Sequence, residues 1–392
     1  MQVSRLQPQS FFVQRAGVRL FCLLLLLATL LILGSSGAVF AEGNERRLDG
    51  DAVYVMNNDA AGNAIVMFER AEDGALTEVG SFATGGLGTG SGLGSQGALV
   101  LSDDGRWLLA VNAGSDEISI FAARGSGLQL LDTVPSGGEQ PISLTVHGRV
   151  LYVLNAGGSG NISGFHIGHH GELMPLANST KHLSNGGVGA APGPAQVSFT
   201  PDGHHLVVTE KATNLILTYD VRARGQVSGP EVSPSEGMTP FGFDFTPRGH
   251  LIVSEAFGGA VDASAASSYS LERGGLEVIS SSVPTNQTAA CWVVVTDDGK
   301  YAYTTNTGSS SVSGYEIDGN GSIALLDADG RTGETGAGSS PIDAIISGDG
   351  RYLYVLSGGT NTVTTFEIGA DGSLSNLGDV SVPAGSVGLA AS

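Results

Sequence analysis

Apolar and polar positions along this chain fall into short runs that end in turn residues, and the grouping repeats. Ala98–Phe121, ALVLSDDGRWLLAVNAGSDEISIF, holds three apolar runs: Ala98–Leu101, Trp107–Val111 and Ile118–Phe121. Between the first two stands Asp104-Gly105, a dipeptide that favours a tight hairpin because Gly accepts positive φ at little cost. The same order returns as VSFTPDGHHLVVTE (197–210), WVVVTDDGKYAYTTN (292–306) and AIISGDGRYLYVLS (344–357). No long stretch of helical periodicity follows residue 41, so the pattern predicts short strands throughout.

Apolar runs that end in Asn, Glu or Ser before a turn give seven landmarks: Asn57, Asn112, Asn155, Glu210, Glu255, Asn306 and Ser357. They lie 43 to 55 residues apart, and a period of about 50 built from short strands is that of a four-stranded propeller blade. With strands lettered A to D from the central channel outward, A precedes the Asp-Gly type of hairpin and B follows it. Strand C ends in an aromatic in every copy: Phe68, Phe121, Phe165, Tyr219, Tyr269, Tyr315 and Phe366. The turn after C carries Gly74, Gly127, Gly171, Gly225, Gly275, Gly321 and Gly372. The first copy lacks a strand A, and the tail VSVPAGSVGLAAS (380–392) resembles one. The prediction is an all-β, seven-bladed β-propeller of four-stranded blades. Its ring closes by pairing of the N- and C-terminal strands, Gly388–Ser392 against Asp51–Met56, which removes two open sheet edges.

Composition narrows the setting. The 392 residues include 60 Gly but are only 14% charged, which describes a turn-rich, core-rich chain. Asp and Glu outnumber Lys and Arg by 38 to 18, so no nucleic-acid partner is expected, because phosphate contacts need the basic groups this surface lacks. Arg5, Arg15 and Arg19 precede an apolar run from Leu20 to Leu33, and Val39-Phe40-Ala41 follows small residues. That layout predicts a signal peptide over 1–41, a single propeller domain over 42–392, and export to a periplasmic or extracellular site. An uncleaved membrane anchor is the alternative, although Leu20–Leu33 is short for a span of about 20 residues. Cleavage would leave Cys291 as the sole cysteine, so a monomer held by its core and without an intrachain disulfide is expected.

VSFTPDGHHLVVTEKATNLILTYDV (197–221) and YAYTTNTGSSSVSGYEI (301–317) resemble the seven-bladed lactonase-type propellers. That family includes 6-phosphogluconolactonase and the carboxymuconate cyclase type. Tyr303-Thr304-Thr305-Asn306 is also similar to the YVTN propeller repeat, whose members are mostly binding proteins. The resemblance spans about residues 48 to 392. It implies the propeller fold and, for activity, metal-independent hydrolysis of sugar lactones. The lactonase pattern has an Arg-His pair directly after Gly-Pro at one strand A, whereas here Gly193-Pro194 is followed by Ala195-Gln196. A second basic residue of that pattern, after the strand B Asn, is Thr307. A lactonase must polarise a carbonyl and handle the proton of water, and neither replacement titrates near neutral pH.

In a propeller the D–A and B–C connections share one face, where ligand sites usually converge on the channel mouth. That face would carry Gln96, Gln140, Gln196, Asn112, Asn155 and Asn306 as ligand-binding candidates. The competing reading for the Asn series is that each side chain bonds its own turn. Glu210 and Glu255 break the Asn series and Lys211 adjoins one of them, so these three are the catalytic candidates, with a Glu as base and Lys211 or Gln196 as carbonyl partner. The expected partner is a small polar ligand such as a lactone or sugar derivative. A non-catalytic propeller that binds a protein or envelope polymer is the alternative.

Other motifs carry less. His166, His169, His170, His147, His204, His205 and His250 fall in or beside hairpins where other copies place Asp, Asn, Arg or Lys, so they read as turn residues, and no metal or other cofactor is expected. Gly92-Leu-Gly94-Ser-Gln-Gly97 matches G-x-G-x-x-G but precedes a strand, not a helix, and Gly85–Gly97 reads as a flexible loop. Asp327-Ala-Asp329-Gly330 lacks the downstream Glu of a calcium loop, and no G-x-S-x-G elbow is present.

Overall fold

The computed structural model describes residues 52–124, 127–272 and 275–392. The segment 1–41, expected to be a signal peptide, therefore lies outside the described residues. Among those described, no helix is long and apolar enough to cross a membrane.

Seven antiparallel sheets follow one another, each with strand A innermost. In blade 2 the strands are Leu99–Leu101, Trp107–Asn112, Glu117–Arg124 and Gly127–Pro135, so the Asp104-Gly105 hairpin joins A to B as expected. Ser102 Oγ donates to Asp104 Oδ1 there at 2.7 Å. The same Ser/Thr-to-Asp bond recurs at Thr200–Asp202, Thr296–Asp298 and Ser347–Asp349, which pins each hairpin by one repeated side-chain contact.

The ring closes as the two chain ends predict. Val387–Ala391 serves as strand A of blade 1 and pairs with Ala52–Met56, with Val55 opposite Leu389 and Val53 opposite Ala391. Arg70 of blade 1 and Asp349 of blade 7 form an ion pair at 3.0 Å that ties the first blade to the last.

All seven strand C aromatics are buried, with at most 1% of each exposed. They fill the wedges between blades, and the hydroxyls find partners: Tyr219 donates to His182 O and Tyr315 to Val283 O. The seven C–D glycines all have positive φ, between 77° and 157°, a conformation that other residues adopt only with strain. Blades 3 and 6 depart from the plain four-stranded pattern. Their outer strand is split, and Lys181–His182 and Gly333–Glu334 return to pair with strand C. These short segments satisfy backbone groups that a wholly irregular excursion would leave open.

Candidate functional site

Strand A is the inner edge of each blade, so one row of its backbone N–H and C=O groups faces the channel without a partner from its own sheet. An edge of that kind must be satisfied by something else. Here the neighbouring blade supplies side chains. Val197 N donates to Ser143 Oγ at 3.1 Å and Phe199 N to Thr145 Oγ1 at 3.0 Å, from blade 4 to blade 3. Gln196 bonds both groups of Phe243 in blade 5, accepting from its N at 2.7 Å and donating to its O at 2.9 Å. Asp244 Oδ2 accepts from Val295 N of blade 6 at 2.8 Å.

At Gly242 this series has no side chain to offer. Gln96 takes its place from the D–A connection of blade 2, accepting from Val293 N at 3.0 Å and donating to Val293 O at 2.6 Å. A Cβ on residue 242 would stand 2.1 Å from Gln96 Oε1, so the glycine is what makes room. The rest of the connection is equally tied. Ser95 Oγ donates to Ile142 O, Trp292 Nε1 donates to Ser95 O, and Gln96 N donates to Ala195 O. Lys211 Nζ donates to Gly94 O while lying 4.7 Å from the centroid of the Phe241 ring. Leu93–Gly97 is thus a plug across the D–A mouth, bonded to blades 3, 4 and 6. The G-x-G-x-x-G glycines serve close packing of this segment, and the expectation of a flexible loop does not hold for its last five residues.

Beneath the plug the channel encloses about 560 Å³. The cavity runs from Gln96 and Gln196 to the A–B hairpin side at Asp103, His147 and Pro201, and two strand A carboxyls, Asp244 and Asp343, line it between these ends. Burial pushes the Asp343 carboxyl up to about 8, against the opposing effect of N–H donors from Ala344 and Leu389. Burial likewise raises Asp244 to about 6, with Val295 and Phe245 N–H groups pulling it down and the charge of Asp297 adding to the rise. Each carboxylate oxygen has two lone pairs, so one amide bond to an oxygen leaves room for a ligand's hydrogen. Two acids in one cavity with separated proton affinities are the pattern of an acid and base pair.

The residues singled out from sequence are distributed as follows. Gln96 and Gln196 line the cavity. Glu210 is buried and accepts from Ser184 N, Ser184 Oγ and Thr213 Oγ1 at 3.0, 2.5 and 2.7 Å. Glu255 is buried and accepts from Gly237 N, Ser267 Oγ and Ser282 Oγ at 2.8, 2.5 and 2.6 Å. Burial raises the Glu255 carboxyl despite these donors. Lys211 is held down to about 8 by burial, and it shares no hydrogen-bond partner with either Glu.

Asn112, Asn155 and Asn306 are each fully buried and donate to a strand C serine of their own blade: Ser119, Ser163 and Ser313. Asn112 also accepts from Asn63 Nδ2 and Thr84 Oγ1 of blade 1. Gln140 is exposed, and its backbone N donates to Asp116. The strand B termini thus tie loops together within and between blades.

His169, His204 and His205 sit in the hairpins beside Arg149, Asp202 and Asp220, but His147 lines the cavity. Among the described residues no group of three His, Cys, Asp or Glu could hold a metal ion. Asp244 and Asp343 were missed because they stand inside apolar strands, FGFDF and PIDAII. Their signal was a charge at strand A positions where neighbouring blades carry uncharged residues: Thr145, Ser198 and Val294 at the place of Asp244, and Ser143, Gln196 and Trp292 at that of Asp343.

The sequence matches the family model described as "Lactonase, 7-bladed beta-propeller" over residues 45–188, 177–256 and 257–387. No curated protein matches it. Among solved structures it is similar to a candidate 6-phosphogluconolactonase from Bacteroides fragilis, at 22% identity and TM-score 0.68 over 88% of this chain and 98% of that one. A protein from Lactobacillus plantarum gives 20% identity and TM-score 0.69 over 87% and 99%. The periplasmic gluconolactonase of Pseudomonas aeruginosa gives 16% identity and TM-score 0.67 over 85% and 96%. Likeness at these identities concerns the fold, whereas the family match spans nearly the whole propeller, and the chain belongs to the seven-bladed β-propeller lactonase family.

Proposed function

We propose that this protein is an exported propeller that binds a small polar ligand in its central channel and hydrolyses a sugar lactone there. The observation that carries the reading is the channel cavity lined by Asp244 and Asp343. The family match and the name of the Pseudomonas neighbour support the substrate class and export, and Arg5, Arg15 and Arg19 ahead of the apolar run Leu20–Leu33 support export independently.

In this mechanism Asp244, ionised at neutral pH, accepts a proton from water as the water oxygen attacks the lactone carbonyl carbon. Asp343, still protonated, donates a hydrogen bond to the carbonyl oxygen and stabilises the oxyanion that forms. Collapse of the tetrahedral intermediate breaks the ring C–O bond, and the proton held by Asp244 passes to the leaving alkoxide. The product is the open hydroxy acid, and Asp244 returns to its starting state. Gln96 and Gln196 have both polar ends committed to inner-strand backbone, so they shape the cavity wall.

The test is acid release from a panel of aldonolactones at several pH values. The expected kcat/KM profile is a bell with limbs near pH 6 and 8, set by Asp244 and Asp343. Asp244→Asn should lower kcat/KM by about 10²- to 10⁴-fold with the fold intact. Release no faster than the spontaneous rate in the wild type would overturn the reading.

One observation favours the non-catalytic alternative, in which the protein contacts another protein or an envelope polymer. The plugged face carries the exposed apolar side chains Val188, Met238 and Val261 on its connecting loops. Unaltered turnover in a Met238→Ser, Val261→Ser double variant would leave that face with no part in catalysis.

A further inference from the structure

The proposed channel chemistry leaves open which mouth a ligand uses and which ligands can pass. Five observations bear on both. Leu93–Gly97 closes the D–A mouth, held by the Gln96 bonds to Val293 and by the Trp292, Ser95 and Lys211 contacts. Leu93 also packs among the buried side chains of two blade cores. At the other end, Asp103 and Pro201 of the A–B hairpins line the cavity and are exposed. Among the described residues no Lys or Arg lines the cavity, whereas Asp103, Asp244 and Asp343 do. The whole chain adds a formal charge of −20.

We infer that the ligand reaches the channel from the A–B hairpin face and that the acidic wall of this route admits neutral or cationic lactones while rejecting phosphorylated ones. This rests on the channel being the reactive site. A phosphoryl dianion brought past Asp103 toward Asp244 meets like charge in a narrow, weakly screened space and finds no guanidinium or ammonium to receive it, as phosphate recognition requires. A neutral sugar lactone meets only hydroxyl, amide and carboxyl groups, which can exchange hydrogen bonds with its own hydroxyls.

The experiment compares D-glucono-1,5-lactone with its 6-phosphate on the whole protein. The expected kcat/KM ratio favours the neutral lactone by on the order of 100-fold at low salt, narrowing as salt screens the wall. Asp103→Lys, which changes charge at the A–B end, should move the ratio at least tenfold toward the phosphate. Equal or greater activity on the phosphorylated lactone would overturn the charge rule while leaving channel catalysis in place. A ratio indifferent to Asp103→Lys would overturn the route. Should neither lactone be hydrolysed, the catalytic reading fails, and calorimetry with the corresponding neutral lactam and its 6-phosphate still reads the charge rule. Tighter binding of the lactam supports it. Tighter binding of the phosphate, or binding of neither, overturns it.

Discussion

Two sets of carboxyls in this propeller have the same covalent chemistry and opposite surroundings. Glu210 and Glu255 end strand B, on the face where the connecting loops gather, and each accepts three hydrogen bonds from loop and strand groups. Asp244 and Asp343 sit on strand A, receive backbone N–H groups and border an open cavity. A carboxylate surrounded by hydroxyl donors is a tie, because its lone pairs are committed before any ligand arrives. A carboxyl on a channel wall keeps acceptor capacity toward the space where a ligand can stand. Position within the blade decides the role, more than residue type.

Substituting one member of the first set gives the largest stability effect. Glu255→Ala strands Gly237 N, Ser267 Oγ and Ser282 Oγ in a buried site, and unsatisfied buried groups of this kind cost about 1–3 kcal/mol each. A loss of about 3 kcal/mol or more in urea denaturation is expected, with turnover per folded molecule preserved. Abolished turnover in a stably folded Glu255→Ala protein would reverse the comparison.

Next comes the plug. Gly242→Ala drives a methyl into Gln96 Oε1 and Cys291 O, and overpacking of this sort costs about 1–3 kcal/mol. Release of Gln96 should carry Ser95 away from Trp292 and shift Trp292 emission to the red in a Trp107→Phe background. Emission that stays put would mean the plug does not depend on the gap at residue 242.

A third effect is read by pH. Asp343 has its folded value raised to about 8, well above an unfolded aspartate near 3.9. Between these values the folded state holds more protons than the unfolded state, so stability falls as pH rises from about 4 to 8 and levels off above. Asp343→Asn removes that slope, leaving Tm at pH 8 closer to Tm at pH 4.5 than in the wild type. An unchanged slope in the variant would show that Asp343 ionises freely in the channel.

Much of the architecture was legible in the chain because each blade repeats the same local chemistry. Asp104-Gly105, the strand C aromatics and the C–D glycines act within a few residues of where they stand, so their spacing carries the blade pattern directly. The closure of Val387–Ala391 on Ala52–Met56 could be reasoned from a missing strand at one end and a spare one at the other. Asn112, Asn155 and Asn306 were readable as a ring but not as ties to strand C serines, since Ser119, Ser163 and Ser313 are seven or eight residues away across a turn. Asp244 and Asp343 were visible as charges in apolar strands. What they face depends on the curvature of the whole ring.

The sequence by itself determined the repeat, the strand order within each blade, the seam of the ring and the acidic balance of the chain. Those features follow from side-chain alternation and turn residues, which act locally. The tertiary structure decided that Leu93–Gly97 is a plug, that Gln96 fills the gap left by Gly242, and that Asp244 and Asp343 share one cavity. Gln96 and Val293 are 197 residues apart along the chain. Their meeting is fixed by closure of seven blades around one axis, a global constraint that no local pattern encodes.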